Sequence, residues 1–151
     1  TLISACAESG AKSVLASDTV VKQLAQFGEK LGIAFQIKDD LLDYQLSSVA
    51  GKPSGNDIKE KKITLPLIHA LQNSEIKDRK RILSLINKGK SNSAAFKSIV
   101  DFIKTNGGFD YSIQKMHEYR DQAIQILDNF PESDAKNSLK EFALFTTNRK
   151  Q

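Results

Sequence analysis

Tryptophan is absent, cysteine and methionine occur once each, and only three prolines and eight glycines interrupt a chain of 151 residues. A lone Cys6 closes no internal disulfide, and without a second cysteine there is no zinc-finger spacing, which excludes a stapled miniprotein and a zinc module. That cysteine usage suits a reducing compartment, and a cytoplasmic setting is expected. No run approaches the ~18 apolar residues of a membrane span, and Thr1-Leu2-Ile3-Ser4 lacks the basic-then-apolar pattern of a secretory signal. An excess of one charge is also missing, since 22 Lys+Arg against 18 Asp+Glu leave only +4. Phe and Tyr recur at apolar helical positions rather than among basic residues, so no nucleic-acid partner is expected.

What remains is helical periodicity almost from end to end, with no convincing alternating strand. The reading is a single all-α domain, large enough for a core, because a chain near this length hides roughly two-thirds or more of its unfolded surface. Thr1 to Gly10 is apolar and small and carries no capping signal, so the chain is expected to enter mid-helix as a fragment. A central helix is predicted from Asp18, its N-cap, to about Leu46. Gly51, Pro53, Gly55 and Asn56 make Ser47 to Lys62 a loop, and Thr64 to Gln72 resumes a helix with Pro66 in its first turn. Further helices are expected over Glu75 to Asn87, over Ser93 to Asn106 closed by Gly107-Gly108, over Tyr111 to Phe130, and from Asp134 to about Asn148 after a Ser133 cap.

The central helix carries the chemistry. At about 100° per residue, Gly28, Gly32, Gln36, Asp39 and Asp43 share one narrow side, with Asp40 at its edge, while most of the remaining circumference is apolar. A helix apolar on most of its surface is normally buried, so these acids do not read as a solvated face. Three acids within five residues repel one another and call for a positive charge; Mg²⁺, commonly held by one or two carboxylates plus substrate phosphates, answers that need. Asp39 and Asp43, one turn apart, can point at the same volume, and Gly28 and Gly32 leave room beside the helix. The loop adds Lys52, Lys59, Lys61 and Lys62, point charges suited to a polyphosphate, and Asp57, a partner for a metal-bound water. By composition alone, the same loop reads as an exposed charged segment.

The ordered series Gly32-Ile33-Ala34-Phe35-Gln36-Ile37-Lys38-Asp39-Asp40-Leu41-Leu42-Asp43-Tyr44, then Gly51-Lys52-x-x-Gly55-x-Asp57, then Lys62-Ile63-Thr64-Leu65-Pro66 resembles the second aspartate-rich region of trans-prenyl diphosphate synthases. The resemblance extends weakly through Gly107-Gly108 and Leu127-x-x-Phe130-Pro131 to Arg149-Lys150, and so spans residues 1–151 but only the latter half of the family's usual length. It implies a helical bundle in which Mg²⁺ is held against an allylic prenyl diphosphate that ionises and is attacked by isopentenyl diphosphate. By position it makes Asp39 the principal metal ligand, sets Asp40 and Asp43 farther from the metal, and has Asp57 orient metal waters. Gln36 is placed beside the allylic substrate, and Lys52 and Lys62 on its diphosphate. It also implies a homodimer.

Two departures stand out. Lys61 occupies a position where the family usually has glycine, so the turn there is expected to differ. The family's first aspartate-rich motif, arginine pair and isopentenyl-binding residues have no counterpart, and the chain alone is expected to be inactive. A competing reading is a non-catalytic partner subunit of a prenyl synthase. A terpene cyclase is disfavoured by the Gly51-Lys52 loop and by Lys62-Ile63-Thr64-Leu65-Pro66. His69 and His117 lack metal-type spacing and read as structural, as does Cys6 among small apolar neighbours. Ile113, Met116, Ile124 and Leu127 read as core, and Arg149-Lys150 as a solvated end.

Overall fold

The computed structural model describes residues 2–45, 56–60, 62–87 and 93–149. Among them are the helices α1 (Leu2–Ser13), α2 (Asp18–Asp43), α3 (Asn56–Lys59), α4 (Leu65–Gln72), α5 (Ile76–Asn87), α6 (Ser93–Thr105), α7 (Gly108–Leu127) and α8 (Asp134–Asn148). No strand occurs among the described residues, in keeping with the all-α reading, and no helix among them is long and apolar enough to cross a membrane.

The chain forms two compact units, Thr1–Lys38 with Lys115–Lys150, and Asp39–Gln114. In the first, Phe27 and Leu31 of α2 bury against Ala123 and Leu127 of α7 and Ala143 of α8, with Ile3 of α1 packed alongside. In the second, Leu67 and Ala70 of α4, Ile82 and Ile86 of α5, and Ile99, Phe102 and Ile103 of α6 enclose Tyr44 and Ile58. Leu31, Leu67, Ile82, Ile99, Ile103 and Leu127 are fully buried; each contributes about 1.5–3 kcal/mol relative to an exposed position.

Several local expectations are revised. Ser17, not Asp18, caps α2: its carbonyl accepts from Val21 N–H at 3.0 Å and its hydroxyl from Val20 N–H at 3.5 Å. The segment expected as a loop contains the short α3, while residues 46–55, Lys52 included, and Lys61 lie outside the described residues. Gly107 ends α6 with φ +69°, as a terminating glycine should, but Gly108 begins α7. Cys6 is exposed rather than packed, because it lies on the outer side of α1, and Ile113 on α7 is 41% exposed rather than core. Met116 and Leu127 are core as expected.

The α7–α8 connection is held by a buried amine. Ser133 caps α8 by accepting from Lys136 N–H at 3.2 Å, and Lys136 Nζ donates to the Phe130 carbonyl at 2.8 Å and pairs with Glu132 at 2.6 Å. Lys140 pairs with Asp128 at 2.9 Å across the same turn. The hydrogen bonds from Lys136 and Lys140 hold Glu132 and Asp128 below their ordinary values of 4.5 and 3.8. A carboxyl depressed on folding adds stability above its unfolded value and loses it as the pH falls through the folded one. Lys136→Met is therefore expected to lower stability at neutral pH by about 1–3 kcal/mol, through the unsatisfied Phe130 carbonyl. It is also expected to flatten the acid limb of the stability curve below about 4.5. Denaturant melts of both proteins between neutral and acid pH check both effects.

Candidate active site

The second unit brings together the C-terminal end of α2, α3 and the entry to α4. Asp39, Asp40 and Asp43 are half-buried, and so is Asp57 in α3. Asp43 Oδ2 accepts from Asp57 N–H at 3.0 Å, which ties the two acidic segments across the intervening chain. Lys62 N–H donates to the Asp57 carbonyl at 2.7 Å, and Lys62 Nζ lies 3.3 Å from Asp57 Oδ1. The lysine thus joins the carboxylates, although 59% of its side chain is exposed. Glu60, which sequence reasoning did not single out, holds the same ammonium at 2.7 Å. Hydrogen bonds to Glu60 and then Asp57 raise the Lys62 pKa above its ordinary value, so the amine remains charged at neutral pH.

Tyr44 follows Asp43 directly and is 3% exposed, with its ring edge-on to Phe109 at 5.7 Å. Its hydroxyl is hydrogen-bonded to Thr64 Oγ1 at 2.5 Å. Burial first, and then the negative charges of Asp57, Asp40 and Asp43, push the phenol well above its ordinary value, outweighing the opposing Thr64 hydrogen bond. The site therefore keeps a neutral phenol among its acids.

Gln36 stands exposed on α2, three residues before Asp39, in the first unit. In that unit Arg149 is not a solvated end: its guanidinium covers the Phe35 ring at 4.4 Å. Burial, followed by the Arg149 charge, lowers the Lys38 pKa. The room expected beside Gly28 is filled. A Cβ there would lie 2.6 Å from the Ile3 carbonyl oxygen and 2.7 Å from Ser4 Cα, so Gly28 admits the backbone of α1, not a ligand. Ser4 Oγ seals that crossing by donating to the Ala25 carbonyl at 2.9 Å. At Gly32 a Cβ would make only ordinary contact with Ile3, at 3.9 Å. His69 stacks on Tyr111 at 4.0 Å and contacts Asn73, a structural role as expected.

Among the described residues, no three His, Cys, Asp or Glu side chains converge as a preformed metal cage. An ion held here would draw part of its coordination from substrate and water, as Mg²⁺ commonly does with one or two carboxylates. Half-buried carboxylates at one helix end, with an ammonium beside them, have the donor chemistry for that arrangement.

Residues 1–103 match the Polyprenyl synthetase family. The chain belongs to that family. Over 149 residues it is 30% identical to heptaprenyl diphosphate synthase component 2 of Geobacillus stearothermophilus, covering 98% of this chain and 45% of that protein. Its fold is shared, at TM-score 0.89 and 32% identity, with polyprenyl synthase from Caulobacter crescentus CB15 complexed with calcium and isoprenyl diphosphate, over 99% of this chain and 46% of that one. Geranylgeranyl pyrophosphate synthase from Corynebacterium glutamicum, complexed with isoprenyl diphosphate and magnesium, matches at TM-score 0.76 and 28% identity, over 89% of this chain and 39% of that one. The polyprenyl synthetase chain therefore has the isoprenoid synthase fold and spans less than half the length of these relatives.

Proposed function

We propose that this chain supplies the diphosphate-activating part of a cytoplasmic, homodimeric prenyltransferase that condenses isopentenyl diphosphate with an allylic prenyl diphosphate. The observation that carries the reading is the tie from Asp43 through Asp57 to Lys62, which sets a charged amine beside a carboxylate-bearing helix end. Divalent metals and isoprenyl diphosphate accompany this fold in the relatives from Caulobacter crescentus and Corynebacterium glutamicum.

Asp39 would be the principal residue holding Mg²⁺, with Asp40 and Asp43 supporting it and Asp57 orienting the ion's waters. Bound there, Mg²⁺ supplies Lewis-acid stabilisation of the charge that develops on pyrophosphate as the allylic C–O bond breaks. Lys62 and Lys52 bind the outer diphosphate oxygens as point charges. For Lys62 this means exchanging Glu60 for phosphate. Gln36 lies along the allylic substrate. The allylic carbon then bonds to isopentenyl diphosphate, which gives up a proton as pyrophosphate leaves.

The family's first aspartate-rich motif has no counterpart in this sequence, so the proposal includes further carboxylates supplied from outside these 151 residues. The test is isopentenyl incorporation into farnesyl diphosphate with Mg²⁺, by this chain alone and by the same chain extended upstream. Turnover only in the extended form is the expected result. Turnover by the chain alone contradicts the need for further carboxylates, and turnover by neither form transfers the reading to a non-catalytic partner subunit.

A further inference from the structure

Thr64 occupies the N-cap position of α4, with extended dihedrals of φ −91° and ψ 166°, and its carbonyl accepts from Ile68 N–H at 2.9 Å. Its hydroxyl nevertheless makes no cap hydrogen bond. A capping threonine accepts through its side-chain oxygen from the second or third helical N–H, a contact whose loss costs about 1 kcal/mol. Pro66, at the second helical position, has no N–H to offer, which halves the demand for a cap. The hydroxyl is spent instead on Tyr44, the residue after Asp43.

Two consecutive residues at the end of α2 therefore grip the following segment at two points. Asp43 holds Asp57 through its backbone N–H, and Tyr44 holds Thr64 through its hydroxyl. Lys62 lies between those points, with its own N–H bonded to the Asp57 carbonyl. Both hydroxyls of the second grip are buried, at 3% exposure for Tyr44 and 7% for Thr64. Stability does not require them there, because replacing both members of a buried hydrogen-bonded pair by apolar groups of the same shape is often nearly neutral. What an apolar pair lacks is direction: a hydrogen bond fixes the register between α2 and α4, whereas a methyl against a ring tolerates sliding.

We propose that the Tyr44–Thr64 hydrogen bond is a positioning latch that sets Lys62 against the aspartates of α2 for diphosphate binding. This inference rests on the functional reading above. Tyr44 and Thr64 act through Lys62 and touch no substrate themselves.

Calorimetric titration of this chain with pyrophosphate and Mg²⁺ tests it, alongside thermal melts of each variant. The double variant Tyr44→Phe/Thr64→Val is expected to keep the wild-type melting temperature and to bind about tenfold more weakly, since small misplacements of a binding group carry large penalties. Thr64→Ser, which retains the hydroxyl, should restore wild-type affinity. In a Lys62→Ala background the double variant should cause no further loss. Wild-type affinity in Tyr44→Phe/Thr64→Val overturns the latch, as does an equal further loss in the Lys62→Ala background. Asp39→Ala separates the two levels of the account. If it binds as well as the wild type, or the wild type does not bind, the functional reading fails and the latch fails with it; if it alone loses binding, only the latch fails.

Discussion

Asp39→Ala is expected to abolish magnesium-dependent pyrophosphate affinity, by about 10²–10³-fold, the range seen when one preorganised charge-stabilising group is removed from a reacting site. Asp39 and Asp43 stand one helical turn apart, but they are not equivalent. Asp43 already devotes Oδ2 to the Asp57 N–H and so shapes the site, whereas the family resemblance gives Asp39 the metal. Asp43→Asn, which keeps an acceptor for that N–H, is expected to weaken binding less than Asp39→Asn. Titrations with and without Mg²⁺ read both effects. Equal affinities for wild type and Asp39→Ala would remove the metal assignment.

Gly108→Ala is expected to lower stability by about 3 kcal/mol or more, at the upper end of what overpacking does. A Cβ at Gly108 would stand 2.2 Å from the Pro66 carbonyl oxygen and 2.8 Å from Ile103 Cγ2. The nearer obstacle is backbone and cannot rotate away. At about 2–4 °C per kcal/mol for a chain of this size, the melting temperature should fall by roughly 6–12 °C. Gly107→Ala provides the contrast, because Gly107 faces open space and only its φ of +69° opposes a side chain. Its expected loss is about 1–2 kcal/mol, the ordinary strain of a left-handed residue. Pro66 follows Thr64 by two residues, so Gly108→Ala should also weaken pyrophosphate binding in whatever fraction remains folded. Gly107→Ala should leave the affinity unchanged. Thermal melts and titrations of the two variants, side by side, separate a steric clash from dihedral strain.

Helix positions followed from apolar spacing and capping chemistry, since Pro66 and Ser133 act within the first turn regardless of what packs outside it. The carboxylate series on α2 was visible for the same reason: a helical wheel needs only the sequence. A wheel identifies a side of a helix without saying what fills the space beside it. Gly28 and Gly32 looked like clearance for a ligand, yet Gly28 admits the backbone of α1. Gly108 looked like part of a helix stop and is a crossing point against the chain at Pro66. Both contacts are made between segments far apart in sequence.

The polar partners were hidden in a different way. Thr64 before Leu65-Pro66 has the local signature of an N-cap, and only tertiary structure shows its hydroxyl turned to Tyr44. Glu60 was hidden within a charged run, where composition does not say which acid a given lysine will take. Arg149 looked like a solvated tail because a chain end offers no periodicity, although an aromatic face at Phe35 receives it. The missed features are thus pairings, whereas the recovered ones are periodic or local.

The most direct measurement is a crystal structure of this chain with Mg²⁺ and pyrophosphate. The account predicts a metal ion about 2.0–2.1 Å from an Asp39 carboxylate oxygen, completed by phosphate oxygens and waters, with the Lys62 ammonium moved from Glu60 onto the diphosphate. Pyrophosphate bound away from the end of α2, or a metal that leaves Asp39 untouched, would contradict it.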